Sequence, residues 1–168
     1  MSNAVYRNLP WTPSVTKAAE DLIKHIHDIA PELEVTFMGA AALSIDGKND
    51  LDLDIICPSD QIERYKSLFE KELGPAMTNL QDSEYWKFLP DEVYWEFDWK
   101  GFKADVMLHD AHNQHFVTQS SRQKKLSESK ELLESYKKLK RESDGIPMEE
   151  YERRKLRFFE DVLDKATL

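Results

Sequence analysis

The sequence predicts an α+β protein, α/β-like in its order: strands and helices alternate over the first two thirds of the chain, and only helices follow. Three observations carry this. The run Asn49-Asp50-Leu51-Asp52-Leu53-Asp54-Ile55-Ile56-Cys57 alternates carboxylate and aliphatic side chains with the period of a strand. Val93 to Trp99 and Phe102 to Leu108 are two further extended runs joined by Lys100-Gly101, the chemistry of a hairpin turn. Around and after these strands, apolar residues recur at helical spacing.

Residues 1–11 form an irregular arm in which Leu9-Pro10-Trp11 can staple onto the body. Thr12 followed by Pro13 is a cap and first-turn signal. Val15, Ala18, Ala19, Leu22, Ile23, Ile26, Ile29 and Ala30 then predict a helix over 13–30. Pro31 stops it, and Glu34 to Met38 is a short strand running into Gly39. The small residues Gly39-Ala40-Ala41-Ala42 keep the chain close to something, and Asp46-Gly47-Lys48-Asn49 is turn chemistry before the acidic strand over 51–57. Pro58-Ser59-Asp60 opens a helix with Ile62, Tyr65, Leu68, Phe69 and Leu73 on its apolar face, ended by Gly74-Pro75. Tyr85-Trp86-Lys87-Phe88 is a strand before the hairpin. The remainder predicts helices over 111–123, 126–141 and 147–166, the last begun by Pro147 and carrying Met148, Tyr151, Leu156, Phe159, Val162 and Leu163. The organisation expected is a core over 1–110 with a helical segment, 111–168, packed on it as one unit.

The chain of 168 residues is long enough to bury a core, and 40% hydrophobic with 33% charged residues is ordinary for such a protein. A net charge of −9 argues against general nucleic-acid or anionic-membrane binding through bulk electrostatics. The distribution is uneven: residues 1–121 carry 10 basic and 21 acidic side chains, residues 122–157 carry 12 and 8, so an acidic centre is followed by a basic helical segment. The lone Cys57 excludes an internal disulfide, the N-terminus lacks the order of a signal peptide, and no apolar run approaches the roughly 18 residues of a membrane span. The expected location is the cytoplasm.

Asp50, Asp52 and Asp54 share one face of their strand, and Leu51, Leu53 and Ile55 the other. Aligned like charges repel and Asp is a poor strand former, so three of them need either full solvation or a cation between them. Asp105, flanked by Ala104 and Val106, supplies another carboxylate from a later strand. Carboxylates at i and i+2 plus one from a neighbouring strand can hold one or two Mg²⁺ (or Mn²⁺) ions with positions open for phosphate oxygens and water. The reaction this suits is in-line phosphoryl or nucleotidyl transfer, with Asp52, Asp54 and Asp105 as the catalytic and metal-holding residues and Asp50 as a further ligand. Backbone N–H groups near Gly39 and Ala40 can approach a triphosphate because no bulky side chain stands in the way. The competing reading is a solvated polar sheet face.

Phe37-Met38-Gly39-Ala40, then Asp52-Leu53-Asp54-Ile55 thirteen residues after the glycine, then Ala104-Asp105-Val106, resembles the signature of the nucleotidyltransferase fold. Within that fold the chain is most similar to the GrpB-like family, through Lys48 to Ile55, through Tyr136-Lys137-Lys138-Leu139-Lys140, and through Tyr151, Lys155, Phe158 and Phe159. The resemblance covers about 34–165 and implies a small mixed sheet with packed helices, Mg²⁺ at the acidic residues and a nucleoside triphosphate as ligand, with an unknown acceptor. Gly39, Ala40, Ser44, Lys48, Lys140 and Lys155 are the corresponding candidates for phosphate contact; for Lys140 and Lys155 the alternative is a solvated helix face. The chain departs from the pattern at three points. Ala40 stands where the signature has Ser, so Ser44 supplies a hydroxyl only if the loop folds back. Leu43-Ser44-Ile45 replaces a Pro-Gly turn. Asp50 is an extra acid, so the metal pair can shift to Asp50 and Asp52. A degenerate fold that binds nucleotide or metal without turnover is the alternative to an enzyme.

Other residues are given plainer roles. His109, His112 and His115 stand three apart and form a drifting stripe if helical, better suited to capping or surface positions than to zinc. Cys57 is expected in the core, and Trp86, Trp95 and Trp99 are expected to cover the sheet.

Overall fold

The computed structural model describes residues 4–77 and 92–167. Among them are six α-helices and one four-stranded mixed sheet, an α+β architecture. In chain order the elements are α1 (Pro13–Ile29), β1 (Glu34–Met38), α2 (Gly39–Ala42), β2 (Leu51–Ile56), α3 (Ile62–Leu73), β3 (Val93–Trp99), β4 (Phe102–His109), α4 (Gln114–Glu128), α5 (Lys130–Glu142) and α6 (Met148–Phe158). The sheet order is β1-β2-β4-β3, with β2 and β4 parallel at the centre and an antiparallel neighbour on each side.

The alternation in β2 is realised as expected. Leu51, Leu53 and Ile55 are buried while the residues between them are half-buried on the other face. Ala104, Val106 and Leu108 of β4 and Trp95 of β3 extend the same apolar face, which α1 covers with Val15, Ala19, Leu22 and Ile26 and α3 with Tyr65 and Phe69. Cys57 joins this core. Trp95 meets Phe69 edge-on at a centroid distance of 6.0 Å and donates its indole N–H to the Gly74 carbonyl at 3.0 Å. Trp99 is half-buried against the same core, and the expected strand at Tyr85–Phe88, with Trp86, lies outside the described residues.

A second cluster joins the C-terminal helices to the loop after α2: Ile45 packs with Leu126, Tyr136 and Leu163, flanked by Phe158 and Phe159. The N-terminal arm ties the two parts together. Val5 bridges to Pro147 and Leu9 to Gly47, the Tyr6 N–H donates to the Ile146 carbonyl at 2.9 Å, and the Asn8 N–H donates to Asp144 Oδ1 at 3.0 Å. The arm expected to be irregular is therefore held by backbone pairing, and Tyr6 is fully buried.

Several boundaries differ from the sequence expectation for local reasons. The small-residue stretch after β1 is a single helical turn, α2. The fourth helix begins at Gln114 rather than 111 because Asn113 caps it, its side chain accepting from the Phe116 N–H at 3.0 Å. Ser129 caps α5 in the same way, so α4 runs on to Glu128. The last helix changes to a π turn over Phe159–Leu163 instead of continuing to 166. Among the described residues no helix is long and apolar enough to cross a membrane.

Candidate functional site

The face of the sheet opposite the core is polar because β2 and β4 carry their acids in matching phase. In the parallel pairing Asp52 stands directly across from Asp105 and Asp54 across from Met107. Asp50 precedes the strand, where Asn49, at φ 62°, turns the chain into β2. Ligand oxygens of Asp50, Asp52 and Asp105 all lie within 4.8 Å of one another, a group that could hold a metal ion. A purely carboxylate set is hard and oxygen-only, suited to Mg²⁺, Mn²⁺ or Ca²⁺ rather than to a thiophilic metal.

Asp54 is not part of that group, which matches the alternative in which the metal pair shifts from Asp52 and Asp54 to Asp50 and Asp52. It lies one pleat further along β2, and its Oδ1 is 2.8 Å from His109 Nε2. His109 Nδ1 lies 2.8 Å from the Asp110 carbonyl oxygen. Both ring nitrogens thus face acceptors, which requires a hydrogen on each and favours the imidazolium. Burial opposes that charge, but the Asp54 carboxylate and the carbonyl outweigh it and hold the His109 pKa above the ordinary histidine value. The three histidines do not share a helix: His109 ends β4, His112 sits in the following turn, and His115 lies on α4; His109, expected in a capping or surface role, is fully buried.

The electrostatics of the three-carboxylate group favour a cation. Burial pushes the Asp52 carboxyl up to about 7; Asp105 and Asp50 add to the rise, and Lys48 and Lys155 oppose it. Asp105 is also raised, by burial first, although the Tyr94 hydroxyl donates to it and Lys103 Nζ lies 3.1 Å away. Lys48 Nζ pairs with Asp50 at 2.8 Å. Burial works against the Lys48 charge, but Asp50 outweighs it and keeps the pKa above the lysine norm.

Gly39 stands beside Asp52 of this group. Its φ of +78° belongs to the left-handed region, and a Cβ built on it would collide with Asp52 Oδ2. The glycine is required twice over, once by its dihedral and once by the carboxylate that occupies the place of a Cβ. Gln123 of α4 donates to the Gly39 carbonyl at 3.3 Å, fixing the turn from the other side.

A cleft of about 780 Å³ opens over the acids between the sheet and the C-terminal helices. Gly39, Ala40, Lys48, Asp50, Asp52, Asp54, Asp105, Lys140 and Lys155 all line it, so the structure brings together every sequence candidate but one. Ser44 is exposed at φ 55° and does not line the cleft, so it does not replace the hydroxyl missing at Ala40. Lys140 and Lys155 are not on a solvated face. Lys140 is buried, with Nζ 3.2 Å from the Tyr151 hydroxyl, and Lys155 Nζ pairs with Glu152 at 2.5 Å.

Sequence reasoning missed the residues that hold these in place. Tyr94 and Lys103 bracket Asp105, His109 holds Asp54, Gln123 fixes Gly39, and Tyr6 joins Tyr151 beside Lys140. Tyr94 and Lys103 had a signal: once the hairpin is placed, alternation puts them on the same face as Asp105. For Tyr6, 134 residues from Lys140, no local pattern points to the contact.

Models of known protein families give no match to the chain, and neither do curated proteins.

Proposed function

We propose that the protein is a metal-dependent nucleotidyltransferase that moves a nucleoside monophosphate from a triphosphate onto an unknown acceptor, and that it is a GrpB-like member of the nucleotidyltransferase fold. One observation carries the reading: three carboxylates, two of them with raised pKa values, converge beside a glycine turn on the floor of a cleft walled by lysines. Lys48 and Lys103 pair with Asp50 and Asp105 but among the described residues no lysine pairs with Asp52, and the basic C-terminal helices supply the complement to a polyphosphate on the other side.

Asp50, Asp52 and Asp105 would hold Mg²⁺ or Mn²⁺. Such an ion, when bound, polarises phosphate oxygens and lowers the pKa of an acceptor hydroxyl. The protein's own residues do the rest. The Gly39–Ala40 turn offers backbone N–H groups without a side chain in the way, while Lys48 and Lys155 place positive charge along the wall where the phosphates would lie and Lys140 lines the same wall as a buried donor. Tyr94 and Lys103 orient Asp105, and His109 neutralises Asp54 so that the cleft floor carries one charge fewer.

A second reading, a nucleotide- or metal-binding module without turnover, is favoured by Ala40 and by the 2.8 Å pairing of Lys48 with Asp50, which already brings a cation to one of the acids. The two are separated by calorimetry with each common nucleoside triphosphate and Mg²⁺ or Mn²⁺, run beside a pyrophosphate assay. Metal-dependent binding with pyrophosphate release, both lost in Asp52→Ala and Asp105→Ala, supports the enzyme. Binding without release across candidate acceptors supports the module, and no binding at millimolar nucleotide sinks the enzyme and leaves only a metal-binding module.

A further inference from the structure

Three lysines among the described residues line the cleft, and one of them is paired with the acids of the metal group. Lys155 Nζ pairs with Glu152 of its own helix at 2.5 Å. Lys140 is 3% exposed, its Nζ caged by the rings of Tyr136, Tyr6 and Tyr151 at centroid distances of 5.0, 5.7 and 5.7 Å. Lys48 Nζ instead lies 2.8 Å from Asp50 Oδ2, on one of the three carboxylates that could hold a metal ion. Lys103 pairs with Asp105 and Glu96 but does not line the cleft.

The backbone under Lys48 is anchored and its side chain is not. Gly47, the residue before it, exchanges both backbone hydrogen bonds with Leu9, at 2.7 and 3.0 Å. Asn49, the residue after it, donates its side-chain amide to the Pro10 carbonyl at 3.0 Å. From that fixed base the ammonium rides on a flexible four-carbon stem. The Lys48 side chain is 38% exposed and that of Asp50 11%, so the pair stands where the cleft opens. Burial works against the Lys48 charge, but Asp50, Asp52 and Glu152 keep the amine protonated. Two of those carboxylates belong to the metal group and the third to α6 across the cleft. What can change at Lys48 is therefore the anion it faces, while its charge stays.

We infer that Lys48 is a tethered counter-ion that couples the two ligands of the cleft, resting on Asp50 while no metal is bound and turning to the nucleotide phosphates once one is. The inference rests on the nucleotidyltransferase reading. A metal ion on Asp50 stands about 2.0–2.6 Å from a carboxylate oxygen, and the ammonium stands 2.8 Å from the same carboxylate. Two cations so close repel each other, and the ion also takes up the negative charge that held the lysine. Lys48 therefore lowers the affinity for metal alone and raises the affinity for the metal-bound nucleotide. By linkage, each ligand strengthens the binding of the other. A triphosphate without metal meets three carboxylates and a lysine already engaged, so the cleft selects the metal–nucleotide complex over the free nucleotide. Lys48 is a positioning residue in this account and makes no bond to phosphorus.

The test is calorimetry on the full chain at one pH and ionic strength. Mn²⁺ alone is the first probe, and each common nucleoside triphosphate with excess Mg²⁺ is the second. Lys48→Met removes the ammonium and keeps most of the stem. It should bind Mn²⁺ about 10-fold more tightly than the natural protein, and the magnesium nucleotide about 10-fold more weakly. A disturbed fold would weaken both, and a lysine that only touches phosphate would leave Mn²⁺ unchanged, so the opposite signs identify the coupling. Lys48→Arg, which restores the charge, should move both affinities back toward the natural ones. Mn²⁺ affinity unchanged or weaker in Lys48→Met, magnesium-nucleotide affinity unchanged or tighter, or an Arg variant that behaves like Met overturns the role of Lys48 and leaves the nucleotidyltransferase reading standing. Failure of the natural protein to bind any magnesium nucleotide at millimolar concentration overturns that reading and this inference together.

Discussion

Asp54 and His109 form a pair at the edge of the cleft in which a fully buried imidazole donates from Nε2 to a carboxylate oxygen 2.8 Å away. The partner of the other ring nitrogen is a backbone carbonyl, so the pair is satisfied only with the ring doubly protonated. Its contribution to stability therefore has a definite pH dependence. The folded pKa of His109 lies above the unfolded value of about 6.5, so the contribution is complete below that pH and fades as pH rises through the folded pKa. His109→Leu should cost about 2 kcal/mol at pH 6 and less at pH 9. Urea denaturation of both proteins at the two pH values checks this, and a cost that grows with pH would contradict it.

Asp52 has the opposite standing. Its folded pKa of about 7 lies above the unfolded carboxyl value, so in the absence of metal it lowers stability as pH rises from about 4 to 7. At pH 8 in a chelator, Asp52→Asn should be more stable than the natural protein by about 2 kcal/mol, because an amide carries no charge to bury. The same variant should lose the rise in melting temperature that Mg²⁺ or Mn²⁺ gives the natural protein. A destabilised Asp52→Asn in chelator would show that the acids are not in mutual conflict.

Tyr94 sets the proton affinity of Asp105 by donating its hydroxyl to it. Tyr94→Phe removes that donor and leaves Lys103, so the Asp105 carboxyl moves further up. The pH midpoint of Mn²⁺ binding should then rise by about one unit. Titration from pH 5 to 9 measures it; an unchanged midpoint would mean that Asp105 does not contribute to the metal group.

At Gly39 any Cβ would run into the Asp52 carboxylate. Gly39→Ala combines a left-handed backbone with a steric collision, and should cost about 2–4 kcal/mol and weaken metal binding. Gly101, also at positive φ but with open space within 4 Å of where a Cβ would stand, is the control. Gly101→Ala should cost only about 1–2 kcal/mol and leave metal affinity as it was. Denaturant unfolding and Mn²⁺ titration of the two variants side by side separate the collision from the backbone strain.

Tyr6 closes the cage around Lys140 from the N-terminal arm. Tyr6→Ala should cost about 3 kcal/mol, the range for deleting a buried aromatic ring. Hydrogen exchange should show the loss spreading to the α5–α6 connection, which the arm pairs with, and leaving the β2–β4 strands protected.

What the sequence by itself determined is whatever depends on near neighbours along the chain. The period of two from Leu51 to Ile56 places the acids on one face and the aliphatics on the other in any sheet that buries one side. The glycine before the acidic strand, the hairpin at Lys100-Gly101 and the helix over Ile62–Leu73 are likewise local, set by backbone freedom and turn chemistry. Tertiary structure decided which acids meet. Asp50 and Asp54 are equivalent by alternation, each two residues from Asp52, but the β2–β4 register sets Asp105 opposite Asp52 and brings His109 within reach of Asp54. A register is fixed by packing across strands about fifty residues apart, and nothing in the local pattern of either strand contains it. The same holds for Lys140, an ordinary lysine on a mixed-charge helix until the folded arm and α6 bury it among three tyrosines; burial comes from the assembled core, and burial is what changes its chemistry.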